Sequence, residues 1–348
     1  MHGKSRRAIA AILLMAALAS GNALAQSAPA PRLDGFNVIA APKDPFGSQS
    51  ARRSLARARR IGANAIAVVP FLWQADPESP DLVRGKDMSD DELRAAIRDA
   101  HALGLAVVVK PHVWVPQSWA GAVAMHSDAD WQRWFANYAS ALAHLARIAE
   151  AEKADAFAIG TELLQTSSQP QWSELITDTR RLYSGRLFYF AHNLEEAEKV
   201  PFWQRLDAIG ITLYPPLGPD GDRAARRATM RAITDRLDAL SARVGKPVIV
   251  GEVGLRSAHG AAAMPWQSAE ERASLPDPKL QADVLADWMS VLERPSIRGI
   301  LIWRWFTDPA AGGLADTDFT VQGKPAERVL TCAWTRRCDD DRAAGLYP

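Results

Sequence analysis

The sequence predicts a single (β/α)8 barrel, a TIM barrel of class α/β. Eight apolar runs of strand length alternate with helix-like segments across residues 33–334, the pattern of buried parallel strands joined by crossovers. That span is slightly above the usual size of about 250 residues, which leaves room for a few loop insertions. The main competitor, a doubly wound open sheet, normally carries a Gly-rich phosphate turn after its first strand, and G-x-G-x-x-G is missing. Composition does not shift inside the span and no low-complexity linker interrupts it, so one domain is expected.

Residues 33–41 (L-D-G-F-N-V-I-A-A) read as the first strand. An Arg-rich amphipathic helix follows over 50–61 and stops at Gly62. Residues 64–73 form a second strand that runs into an aromatic loop at Trp73. Ser89 and Glu92 make a capping box, and Leu93, Ala96, Ile97, Ala100 and Leu103 keep helical period up to Gly104. The third strand spans 105–111 and is followed by His112, Trp114 and Trp119. Ser127 caps a long helix to about residue 152. The fourth strand is 155–163, D-A-F-A-I-G-T-E-L, and a helix covers 172–183. Strands five and six are 186–193 and 206–214, the latter closed by Pro215-Pro216. A helix over 223–244 leads to strand seven, 247–255, P-V-I-V-G-E-V-G-L. A helix over 278–292 precedes strand eight, 299–306, and Pro325 opens the last helix, to about Trp334.

The N-terminus reads differently. Lys4, Arg6 and Arg7 precede an apolar run over 8–18, and Ala23-Leu24-Ala25 fits a small-x-small cleavage site. Residues 1–25 are therefore expected to be a secretory signal peptide, and 26–32, rich in Ala, Pro and Ser, a flexible lead-in. Residues 335–348 are a C-terminal tail. The destination is outside the cell or the periplasm, with no membrane contact once the signal is cleaved. Cys332 and Cys338 are the only two cysteines; in an exported protein they are expected to pair, since such compartments are oxidising. Charge is nearly balanced, 41 Lys+Arg against 40 Asp+Glu, which argues against a nucleic-acid partner. Neither C-x-x-C nor H-E-x-x-H is present, and no metal or organic cofactor is expected.

Strands four and seven each end in a carboxylate, Glu162 and Glu252. In an (β/α)8 barrel the C-terminal strand ends ring the active site. Two carboxyl groups facing each other there are what glycoside hydrolysis needs: one donates a proton to the leaving oxygen, the other attacks or activates water. Tyr214, ending strand six beside strand seven, is placed to hydrogen-bond Glu252. The 12 Trp against 5 Tyr are a compositional anomaly, and indoles serve both as sugar platforms and as core residues. Trp73, Trp114, Trp119, Trp266, Trp303 and Trp305 lie at strand ends or in the following loops. Trp303 and Trp305 have period two and are expected on one side of strand eight, at least one as the floor of a sugar site. Lys110, His112 and Asn193 are candidate partners for sugar hydroxyls; His192 is expected to face away from Asn193.

Five stretches carry a resemblance: G-T-E-L at 160–163, P-F-W-Q-R-L-D-A-I-G at 201–210, G-K-P-V-I-V-G-E-V-G-L-R-S at 245–257, I-W-R-W at 302–305 and D-T-D-F-T-V-Q-G-K-P-A-E at 316–327. Through them the chain resembles glycoside hydrolase family 113, whose best-known activity is β-mannanase, within the large clan of retaining (β/α)8 hydrolases. The resemblance implies Glu162 as general acid/base, Glu252 as nucleophile, Tyr214 as the nucleophile's support and a strand-eight tryptophan as platform. Many clan members carry Asn just before the acid/base, where it contacts the sugar 2-hydroxyl. Thr161 stands there in this chain, and Asn193 is a candidate replacement.

The expectation is a monomeric, exported endo-β-1,4-mannanase working by double displacement on a polysaccharide or oligosaccharide. Another β-glycan (xylan, glucan or an exopolysaccharide) and a non-catalytic sugar-binding barrel are the alternatives. An acid at Glu162 also calls for a raised pKa.

Overall fold

Why the barrel closes is visible in two kinds of packing. The structure, a computed structural model, describes residues 31–338. Its strands are β1 (Leu33–Ile39), β2 (Ala65–Val68), β3 (Phe71–Gln74), β4 (Leu82–Arg84), β5 (Ala106–Val109), β6 (His112–Trp114), β7 (Ala156–Thr161), β8 (Arg186–His192), β9 (Ile209–Leu213), β10 (Val248–Val253) and β11 (Ile297–Phe306). Eight of them close a parallel barrel in the order β1-β11-β10-β9-β8-β7-β5-β2. The eight-stranded closed parallel barrel predicted from the alternation is the fold. Its interior is filled by small residues facing large ones: Ala65, Ala67, Ala156 and Ala158 leave room for Phe188 and Phe190. Gly251 is part of that fit, because a Cβ there would lie 2.2 Å from Cδ1 of Phe190.

The second core lies between the barrel and its helices. These are α1 (Gln49–Arg60), α2 (Asp90–Ala102), α3 (Asp128–Ala151), α4 (Trp172–Leu182), α5 (Asn193–Ala197), α6 (Arg223–Val244), α7 (Pro278–Val291) and α8 (Pro325–Thr335). The capping box of α2 forms in full, with Ser89 and Glu92 each satisfying the other's backbone N–H. Ser127 caps α3, Gly245 ends α6 at φ 71°, and α7 and α8 begin with proline. After β8 the chain makes the short α5 and a single 3-10 turn, Trp203–Arg205, before the next barrel strand.

Two expected strand ends are broken by proline. Pro70 and Pro111 end β2 and β5, and the chain then resumes as β3 and β6 in a separate three-stranded sheet, β4-β3-β6. Proline has no N–H to continue a ladder. The predicted aromatic loops are therefore partly strand, and Trp73 pairs in register with Trp114. At the other end of the chain, the loop after β11 is fastened by buried polar groups. Lys324 Nζ donates to Ser257 Oγ at 2.7 Å and Asp316 Oδ1 at 2.6 Å, and Arg256 Nε to the Thr317 carbonyl at 3.0 Å.

Residues 32–338 belong to one compact unit. Arg32 is not a loose lead-in residue: its Nε bonds Asp34 at 2.9 Å and its Nη1 the Ile297 carbonyl. Cys332 and Cys338 are joined as a disulfide. The expected signal peptide and residues 339–348 of the tail lie outside the described residues. No helix among the described residues is long and apolar enough to cross a membrane.

Candidate active site

Both glutamates are aimed by irregularities in their strands. The register of β7 against β8 slips between Ala158 and Thr161, and Glu162 takes a left-handed φ of 57°. A non-glycine residue in that region is uncommon and is held by its surroundings. Its own N–H donates to the Phe190 carbonyl at 2.8 Å. On β10 a second slip, between Val250 and Glu252, sets Glu252 opposite Thr212 of β9. Bulges of this kind re-aim side chains beside active sites.

Strand β9 and its end then touch both carboxylates. Thr212 Oγ1 donates to Glu162 Oε1 at 2.5 Å, and Tyr214 Oη donates to Glu252 Oε2 at 3.0 Å. The predicted bond from Tyr214 to Glu252 is present. Burial, then the charges of Glu252 and Glu162, push the Tyr214 phenol well above its ordinary value, so it stays a donor. The other oxygen of Glu252 is held by Lys110, which forms an ion pair with Oε1. Lys110 is fully buried, with Nζ 5.6 Å from the Trp303 ring centroid and 5.8 Å from that of Phe190. It is a partner of Glu252 rather than an open contact for sugar hydroxyls, because its ammonium needs a buried counter-charge.

Around Glu162 the structure corrects two expectations. His192 does not face away: its Nδ1 lies 3.1 Å from Glu162 Oε1, and its ring packs on Trp119 with centroids 4.6 Å apart. Strand alternation fails here because Asn193 leaves the strand, with φ 52°, to start α5. Asn193 in turn is engaged within the protein. Its Oδ1 accepts from the Tyr214 N–H at 3.0 Å and its Nδ2 lies 3.0 Å from His192 Nε2. Thr161 Oγ1 is buried against the Pro111 carbonyl at 3.3 Å. His112 is half-buried, and its Nδ1 lies 2.9 Å from the Val113 carbonyl.

The expected rise in the Glu162 pKa is also not what the surroundings produce when the histidines are charged. Burial pushes Glu162 up. The hydrogen bond and charge of His192, the charge of His112 and the Thr212 hydroxyl outweigh it and hold the carboxyl well below the usual range. Nearby Glu196 goes the other way. Burial raises it to about 7, although Tyr189 Oη at 2.5 Å and the His192 N–H at 2.6 Å both donate to it.

The tryptophans separate by position. Trp303 is half-buried beside Lys110. Trp305 is fully buried on the helix side, with Nε1 donating to Ser54 Oγ at 2.8 Å and its ring 4.7 Å from Phe36. They are not on one side of the strand, because β1 pairs Asn37 with Trp303 and Val38 with Trp305, skipping Arg304. Trp73 and Trp114 are exposed and 5.9 Å apart on the small sheet, and Trp119 and Trp266 are also exposed. Thr212 was legible as the residue two before Tyr214 on one strand face; His192 had no such signal, because a helix start interrupts its strand.

The fold has close counterparts among solved structures. A solved β-mannanase of family 113 from Alicyclobacillus acidocaldarius, in complex with ManMIm, aligns with TM-score 0.77 at 25% identity, covering 88% of this chain and 98% of its own. A family 113 β-1,4-mannanase complex aligns with TM-score 0.77 at 27% identity, covering 88% of this chain and 100% of its own. A β-glucuronidase from Ruminococcus gnavus, at 14% identity and TM-score 0.60 over 87% of this chain and 50% of its own, shares the fold. No curated protein matches the chain significantly. The sequence model of Glycoside Hydrolase Family 113 matches residues 36–324, nearly the whole barrel, and the chain belongs to that family.

Proposed function

We propose that the protein is an endo-acting β-1,4-mannanase that hydrolyses its substrate with retention of configuration. The observation that carries the chemistry is the pair of strand-end glutamates, Glu162 and Glu252, held by Thr212 and Tyr214 of neighbouring positions on one edge of the barrel mouth. The solved family members at 25% and 27% identity are β-mannanases, which supports the sugar.

In the first step Glu252 attacks the anomeric carbon, the glycosidic bond breaks, and the leaving oxygen takes the proton of Glu162. In the second, a water gives its proton to Glu162 as its oxygen displaces Glu252. Tyr214 and Lys110 keep Glu252 oriented between turnovers, and the Lys110 ammonium balances its charge in a buried site. Trp303, beside Lys110, is the platform for the sugar at the cleavage point. The exposed Trp73, Trp114 and Trp119 extend an aromatic surface for further sugar units, as an endo-acting enzyme needs.

We also infer that the protein works outside the cytoplasm after removal of residues 1–25. The disulfide between Cys332 and Cys338 suits an oxidising compartment. N-terminal sequencing of the mature protein tests this.

The deciding experiment measures hydrolysis of mannan, glucomannan, xylan and β-glucan, with the first-formed anomer followed by NMR. Mannan-type substrates should be preferred and a β-anomer should appear first. No cleavage of either mannan sinks the substrate, and an initial α-anomer sinks the double displacement.

A further inference from the structure

His192 and Glu162 form a pair whose single titrating proton has two possible homes. Either His192 is an imidazolium beside a carboxylate, or His192 is neutral beside a carboxylic acid. Only the second arrangement gives Glu162 a proton to donate. The choice is made one residue away.

The Tyr214 backbone N–H donates to Asn193 Oδ1 at 3.0 Å. A backbone N–H has no acceptor role, so the amide oxygen must face it and the amide nitrogen must lie on the other side. That nitrogen, Nδ2, is 3.0 Å from His192 Nε2. Nδ2 carries only hydrogens to give, so Nε2 must accept and can hold no proton of its own. The imidazole proton is then on Nδ1, 3.1 Å from Glu162 Oε1. An imidazolium would set one N–H against another. From this chain of partners we infer that Asn193 is a positioning residue that locks His192 as the neutral Nδ1–H tautomer and so leaves the pair's proton on Glu162.

The lock also decides which oxygen carries it. Oε1 already receives His192 Nδ1–H and the Thr212 hydroxyl at 2.5 Å. Oε2 has no protein partner among the described residues, and the acidic proton belongs there. In the glycosylation step this proton passes to the leaving oxygen and the electron pair of the O–H bond stays on Oε2. In deglycosylation the same oxygen takes a proton from water. His192 neither gains nor loses one. The surroundings bear on the pair: burial disfavours a cation at His192, the hydrogen bond and charge of Glu162 and then the charges of Glu196 and Glu195 on α5 favour one, and His112 favours a carboxylate at Glu162. Tyr214, just past the end of β9, and Glu252 on β10 also face the site. Asn193 acts against the pull of these carboxylates on His192 through contact rather than charge.

The inference rests on Glu162 being the acid, but its test does not depend on turnover. Full-length protein labelled with ¹⁵N-histidine is examined at neutral pH by long-range ¹H–¹⁵N correlation, with His192 assigned by its loss in His192→Gln. The lock requires an unprotonated Nε2 and a protonated Nδ1. An imidazolium, or a proton on Nε2, overturns it. In Asn193→Asp the new carboxylate accepts from Nε2, and His192 should become doubly protonated at the same pH. That variant should lose about tenfold more kcat/KM on a phenyl β-mannoside than on the dinitrophenyl analogue, whose leaving group needs no acid. Equal losses on the two overturn the catalytic consequence. If the neutral tautomer is seen but no β-mannoside is cleaved, the lock stands and the substrate reading fails. If mannosides are cleaved by a protein with an imidazolium at His192, the substrate reading stands and the lock fails.

Discussion

Thr212 and Tyr214, two residues apart at the end of one strand, each hold a different strand-end carboxylate: Thr212 bonds Glu162 at 2.5 Å and Tyr214 bonds Glu252 at 3.0 Å. Residues at i and i+2 of a strand point to the same side. One strand end therefore spaces the proposed acid and the proposed nucleophile, and the substrate must fit the gap it sets.

Replacing Thr212 with valine keeps the volume and removes the donor. The hydroxyl stabilises the charged form of Glu162. Without it the carboxyl keeps its proton to higher pH, so the alkaline limb of kcat/KM should move upward. A downward shift contradicts the bond. By contrast, Glu252→Ala should cost about 10⁴-fold or more in kcat, as removal of a nucleophile does. Added azide should restore turnover and give a glycosyl azide of α configuration.

Lys110 and Glu252 are an ion pair with side-chain exposures of 0% and 5%. Lys110→Met leaves a buried carboxylate without its counter-charge. Unfolding in urea should show a loss of about 3–5 kcal/mol. The double variant Lys110→Met/Glu252→Gln should recover much of that loss, because neither charge remains. Additive losses would mean the two side chains do not depend on each other.

The two strand-eight tryptophans should fail in different ways. Trp303→Ala should raise KM for mannan-type substrates about tenfold, the equivalent of ~1.4 kcal/mol of stacking, with little change in stability. Trp305→Ala removes a buried ring and its bond to Ser54, and should cost about 3–5 kcal/mol of folding free energy. A matching stability loss in both would place both in the core.

Glu196 makes stability depend on pH. Burial raises its folded pKa to about 7 from an ordinary 4.5. Below 4.5 both states are protonated and nothing is lost. As pH rises towards 7 the unfolded chain ionises first, so the folded state loses stability, by up to roughly 3 kcal/mol. Asp287 and Asp318, raised by burial but held low by arginine partners, titrate below this window. The unfolding free energy should therefore fall between about pH 4.5 and 7. Glu196→Gln should flatten that slope whatever its absolute stability.

Much of this protein was legible in its residues. Helix starts could be read because caps act locally: Ser89, Ser127, Pro278 and Pro325 do their work within a few positions of themselves. Strand alternation with helices determined the barrel, and the acids ending strands four and seven, with Tyr214 beside one of them, marked the site. These are properties of short segments and of chain order.

What the tertiary structure alone decided are the partners. Lys110 bonds Glu252, and His192 bonds Glu162, across strands that are distant in sequence. Trp303 and Trp305 part company because a register slip against β1 intervenes, and Asn193 turns inward because a helix starts on it. Two-residue periodicity assumes a regular strand, and the irregular stretches are those that aim side chains into the barrel mouth. Their geometry is set by pairing with neighbouring strands. The amino-acid order therefore determined which groups could do the chemistry, and only the closed barrel decided which oxygen and nitrogen atoms they face.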